Sequence, residues 1–178
     1  MVRSFSVPIE PNWQGLVNCI TKSETPDRVY NIELYLDAEN NDWVAREFDL
    51  LEGVDPDDPF FSLEKYMRVQ QFLGYDYVVC GQDDPDLPVT HVVTSDTAAL
   101  ARAGGRAYME EHRGPITNWQ EFEAFPWPDP DKMTYHALEW FHEHLPEGMC
   151  VIGGQTGHFC EWLTWLMGYE TLCYALYD

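Results

Sequence analysis

The residues best suited to chemistry lie in four short patterns. His158 and Cys160 form an H-x-C pair, donors of the kind that hold zinc, although a site would need a third and fourth ligand from elsewhere. In those apolar surroundings a packed histidine beside a small buried thiol is the favoured reading. HALEWFHEH carries His136, His142 and His144, but spacings of six and two do not set two imidazoles on one helical face as H-E-x-x-H does. A solvated face is expected there. GGQTG, from Gly153 to Gly157, follows an apolar run and precedes a helical one, so its free N–H groups could meet an anionic group. It has no Walker lysine, and as a strand-to-helix turn it needs no ligand. Finally, GQDDPD places Asp83 and Asp84 just after a second apolar run. Carboxylates at the C-terminal ends of strands are where α/β barrels keep their chemistry, and a capped turn is the plain alternative.

Composition limits what these groups can serve. The 178 residues carry 31 acids against 10 lysines and arginines, a formal charge of −21. A phosphate backbone would be repelled, and no basic stripe offsets that, so neither nucleic-acid nor anionic-membrane binding is expected. The closing stretch HFCEWLTWLMGYETLCYALYD is rich in aromatic and aliphatic residues, but only Trp162 to Tyr169 is free of ionisable groups. A membrane helix needs roughly 18 to 20 apolar residues. MVRSFSVPIEPNW lacks the apolar core of a secretory signal, which sets the expected compartment as the cytoplasm. Cys19, Cys80, Cys150, Cys160 and Cys173 are odd in number and scattered, as suits reduced, mostly buried thiols. A hydrophobic content of 45% and this length indicate a globular chain.

The elements that would position the candidate groups follow from periodicity. Arg28 to Leu36, RVYNIELYL, reads as a strand with a buried face. Trp43, Val44, Phe48 and Leu51 fit one face of a helix between Asp37 and Leu51. Asp58 as N-cap, Pro59 at the first helical position and Gly74 beyond the end frame a second helix. Tyr75 to Gly81 reads as a buried strand. A hairpin is expected between Thr90 and Arg113, and Pro126, Pro128 and Pro130 hold Trp127 in an extended strut. Met133, Ala137, Phe141 and Leu145 recur every four positions, which predicts a helix from Asp131 to Leu145. Met149 to Gly154 reads as a third strand, with a helix after it. The alternation argues an α/β protein with parallel strands joined by crossovers.

With those elements set out, the chain resembles the uroporphyrinogen decarboxylase superfamily, which includes corrinoid-linked methyltransferases. The resemblance covers Arg28 to Asp178 and is carried by PDRVYNIELYLD, LGYDYVVCG, WQEFEAFPWPDPD, LEWFHEHLPEGMCVIGG and GHFCEWLTWLMGYETLCYALYD. It implies the first three or so βα units of a (β/α)8 TIM barrel over residues 28–178, preceded by an arm over 1–27. It also implies that the rest of the barrel lies outside this chain and that the chain is inactive alone. The family's decarboxylating aspartate follows a D-x-x-x-x-x-x-D run, which Asp76 to Asp83 matches, so Asp83 is the implied catalytic residue. Glu33 stands where decarboxylases carry arginines that clamp substrate carboxylates. Trp165 occupies the place of a family tyrosine. Glu33, Gln155, His158 and Trp165 are the implied substrate-binding residues.

The implied activity is a tetrapyrrole carboxy-lyase acting on a small molecule without cofactor or metal. Methyl transfer with zinc or corrinoid is the alternative within the same fold. A non-catalytic half-barrel is the third reading, completed by a C-terminal half or a second copy as a homo-oligomer, because open strand edges need cover.

Overall fold

The computed structural model describes residues 10–33, 36–83, 87–153 and 158–177. In chain order the elements are α1 (Trp13–Thr21), α2 (Ala38–Glu47), α3 (Phe61–Leu73), β1 (Tyr77–Val79), β2 (His91–Thr94), β3 (Arg106–Met109), α4 (Trp119–Ala124), a 3-10 turn (Pro130–Lys132), α5 (His136–His144), β4 (Cys150–Ile152), α6 (Phe159–Met167) and α7 (Tyr169–Ala175). The chain divides into two compact units, Met1–Gln82 with Tyr135–Gly154, and Asp83–Thr134 with Gln155–Asp178. Each unit mixes helices with a two-stranded sheet. The described residues form no closed barrel.

In the first unit, β1 and β4 pair in parallel with Tyr77 opposite Cys150, Val78 opposite Val151 and Val79 opposite Ile152. The backbone extends this ladder at both ends, from Cys150 N–H to the Asp76 carbonyl at 3.1 Å and from Cys80 N–H to the Ile152 carbonyl at 3.2 Å. α3 and α5 cover the strands through Met67, Val78, Cys80, Trp140, Phe141 and Met149. Phe141 is 1% exposed, and a buried phenylalanine of this kind contributes about 3–5 kcal/mol relative to alanine. A second cluster of Val44, Ala45 and Val69 joins α2 to α3. α3 ends where Gly74 takes φ 83°, its N–H returning to the Gln70 and Gln71 carbonyls, a left-handed cap that glycine adopts without strain.

In the second unit, β2 and β3 form an antiparallel hairpin with His91 opposite Met109 and Thr94 opposite Arg106. Its core gathers Ile116, Phe125 and Leu166 with Leu87, Val89 and Met167. The helical run near the C-terminus breaks into α6 and α7 at Gly168, whose φ is 75°. A Cβ there would lie 2.6 Å from the His112 carbonyl oxygen, so the close approach needs glycine.

Several expectations change. Arg28 to Glu33 and Leu36 form no strand, while Leu34 and Tyr35 lie outside the described residues. The physical reason is a competing side chain. The Tyr77 hydroxyl accepts the Glu33 N–H at 2.7 Å and donates to the Glu33 carbonyl at 3.0 Å, and the Tyr66 hydroxyl accepts the Val79 N–H at 3.1 Å. Backbone groups that a strand ladder would use are thus met by two tyrosines. The expected three-strand parallel arrangement is accordingly a two-strand pair among the described residues.

The helix expected from Asp131 begins only at His136, because Pro130–Lys132 closes a tight 3-10 turn and Met133 is extended at φ −70° and ψ 141°. Asp58 and Pro59 both precede the helix rather than cap and open it: the Asp58 carboxylate accepts the Phe60 N–H at 2.7 Å, Phe60 is the N-cap and α3 starts at Phe61. α1 and α4 were not foreseen. Each has an asparagine cap, Asn12 accepting from Gly15 N–H and Asn118 from Glu121 N–H, both at 3.0 Å. The hairpin, and strands within Tyr75 to Gly81 and Met149 to Gly154, appear where expected.

Candidate functional site

Asp83 enters from β1 through Cys80, Gly81 and Gln82 and is half-buried. Its N–H donates to the Thr134 carbonyl at 3.1 Å, and the Thr134 hydroxyl donates to its Oδ2. Thr134 follows the proline strut, where Lys132 N–H reaches the Asp129 carbonyl at 3.0 Å and the Asp129 carboxylate accepts the Asp131 N–H at 3.1 Å. The local fold therefore places a hydroxyl on a carboxylate whose remaining chemistry is to accept hydrogen bonds or stabilise positive charge.

Asp76, the first acid of the D-x-x-x-x-x-x-D run, has a different task. Only 1% exposed, it accepts at Oδ1 from the Asn12 N–H at 2.6 Å and from the Arg28 guanidinium. Its Oδ2 is buried without a hydrogen-bond partner. Burial, and then the Asp76 charge, push the Cys150 thiol pKa up. Asp76 thus ties the segment before α1 to the start of β1, and Trp13 N–H adds a bond to the Gly148 carbonyl at 2.8 Å.

The other candidates fall as follows. Glu33 is exposed and belongs to the first unit. Its backbone is clasped by Tyr77, and its charge helps raise the pKa of Tyr75, after the larger effect of burial. His158 is exposed and stands at the N-cap of α6, its N–H donating to Glu161 Oε2 at 3.1 Å. It is not the packed histidine expected, and Cys160 and Cys173 are exposed rather than buried. The first turn of α6 faces outward, which removes the apolar surroundings assumed for that pair. Trp165 is half-buried with its ring 5.5 Å from that of Trp162. Trp162 Nε1 is buried without a hydrogen-bond partner. Asp83, His158 and Trp165 share the second unit. Gln155, Thr156 and Gly157 of the glycine turn, like Asp84, lie outside the described residues.

Among the described residues, no three histidine, cysteine, aspartate or glutamate side chains come together as a group able to hold a metal. No helix is long and apolar enough to cross a membrane among the same residues. Thr134, Tyr77 and Arg28 are the residues that sequence reasoning missed. Only Arg28 carried a signal, as one of few cations in an acidic chain. Comparison with protein-family models, with curated proteins and with solved structures finds no match to this chain.

Proposed function

We propose that the chain supplies the N-terminal βα units of a uroporphyrinogen decarboxylase-like TIM barrel, and that Asp83 is the carboxylate that holds and stabilises the reacting tetrapyrrole. The observation that carries this reading is a fixed carboxylate leaving the carboxyl end of a strand that is paired in parallel: β1 runs beside β4, and Asp83 follows it in the chain. Parallel barrels present their reactive groups on the loops after the strands. Parallel sheets are also covered on both faces and do not stand as isolated pairs, which supports further strands beside β1 and β4. Val79 and Ile152, opposite each other in the ladder, are 40% and 36% exposed, apolar surface that a continuing barrel would cover.

In this role Asp83 accepts N–H groups of the substrate and stabilises the positive charge that develops when a ring is protonated before carbon dioxide leaves. A closed barrel needs eight βα units and the described residues supply one parallel strand pair, so binding without turnover is the expected behaviour. The test is anaerobic incubation of the chain with uroporphyrinogen, read both as retained tetrapyrrole and as released carbon dioxide. Saturable retention that Asp83→Asn abolishes, with no carbon dioxide, is the expected result. Absence of retention overturns the substrate assignment, and sustained turnover overturns the incompleteness of the site.

A further inference from the structure

We propose that Thr134 is the positioning residue for Asp83, fixing its carboxylate as an acceptor for N–H groups of a bound molecule. The inference rests on the reading of Asp83 given above, and it names a residue that the motif carrying Asp83 does not contain.

The two residues are 51 positions apart and are joined twice, once through the backbone of Asp83 and once through its side chain. Either bond alone would leave freedom. The backbone bond from Asp83 N–H to the Thr134 carbonyl, at 3.1 Å, sets where the Cα stands but not how the carboxylate is turned. The hydroxyl bond to Oδ2 selects one side-chain rotamer from the staggered wells otherwise open to an aspartate. Threonine is suited to the task because its β-branch restricts χ1, so the hydroxyl is directed before Asp83 arrives.

Thr134 is itself held by what precedes it. Asp129 accepts the Asp131 N–H, Lys132 N–H returns to the Asp129 carbonyl and Met133 N–H returns to the Pro130 carbonyl at 3.3 Å. These bonds order the turn that leads into Thr134. Catalytic carboxylates gain most from supports of this kind, because a group already oriented need not reorganise when charge develops.

The ligand class follows from the acceptor. A carboxylate offers lone pairs and no donor when ionised. The part of a ligand that meets Asp83 is therefore one that brings N–H donors and is neutral or positive. Thr134 touches Asp83 and makes no claim on the reacting atoms.

The experiment uses the full chain with Thr134→Val, Thr134→Ser and Asp83→Ala, alone and combined. A urea-unfolding cycle needs no ligand. Thr134→Val should shift the unfolding equilibrium about tenfold or more when Asp83 is present and leave it unchanged in the Asp83→Ala background, as expected for one hydrogen bond to a charged group. Uroporphyrinogen binding is the second readout: Thr134→Val should weaken it about tenfold, and Thr134→Ser, which keeps the hydroxyl, should stay within about twofold of the parent. Rescue by serine separates positioning from bulk packing. No coupling in the cycle, or parental binding by Thr134→Val where Asp83→Asn fails to bind, overturns the proposal. Coupling without binding by the parent chain overturns the decarboxylase reading and the ligand class with it, while leaving the Thr134–Asp83 tie intact.

Discussion

Replacing Arg28 by methionine tests how the first unit is held together. Asp76 is 1% exposed, and of its two oxygens only Oδ1 is served, by Asn12 N–H and by Arg28. Arg28→Met keeps the length of the side chain and removes the charge, which strands a buried carboxylate on one neutral hydrogen bond. Breaking a buried pair from one side costs about 3–5 kcal/mol. Arg28 retains 24% side-chain exposure, so water reaches the vacated place and the lower end, about 3 kcal/mol, applies. A charge pair about 4 Å apart at an effective dielectric near 20 gives roughly 4 kcal/mol, in agreement.

Urea unfolding followed by tryptophan fluorescence is the assay. With a slope of about 1–3 kcal/mol per molar urea, the midpoint should fall by at least about 1 M. Pairing Arg28→Met with Asp76→Asn should recover half or more of the loss, because no uncompensated charge remains. A midpoint within about 0.3 M of the parent for Arg28→Met, or a double variant less stable than Arg28→Met alone, would refute the claim that this pair anchors the N-terminal segment.

Other outcomes follow from single contacts. Tyr77→Phe removes both bonds to Glu33, at 2.7 and 3.0 Å; it should cost about 1–3 kcal/mol and speed amide exchange at Glu33, and unchanged exchange would contradict the clasp. Gly168→Ala places a side chain at φ 75° against the His112 carbonyl, so the melting temperature should drop by an amount equivalent to about 1–3 kcal/mol from the backbone alone. The Asp96 carboxyl has its pKa lowered to about 2, chiefly by the Arg102 and Ala98 N–H groups and then by Arg106. A depressed pKa adds stability that is full above the ordinary carboxyl value and is lost as pH falls through about 2. The Ala98 and Arg102 amide resonances should therefore hold through pH 4 and move only near pH 2, and movement centred near pH 4 would contradict the loop geometry.

What could be read in the sequence was what local spacing controls. The glycine ending α3 rests on contacts within a few residues, the β-rich runs that became β1 and β4 and the hairpin are marked by local composition although their pairing partners lie farther along the chain, and each emerged. Arg28 to Glu33 did not follow its composition, because Tyr77, 44 positions from Glu33, supplies the hydrogen bonds a neighbouring strand would have made. The last helical run carries one continuous apolar pattern, yet the approach of His112 and Arg113 to Gly168 divides it. The same limit applies to the candidate site. Asp83 is marked by its spacing from Asp76, whereas Thr134 has no local signature and matters only through a pairing across 51 positions. Asp76 itself shows the hazard of spacing alone: the two acids of one motif serve a buried ion pair and a loop carboxylate.

The most direct measurement of the central claim is an anaerobic titration of the parent chain and of Asp83→Asn with uroporphyrinogen, followed by tryptophan quenching. One saturable site in the parent, weakened by Asp83→Asn by about tenfold or more as loss of a charge-assisted hydrogen bond requires, is the result this account predicts. Equal quenching of both chains, or none in either, would contradict it.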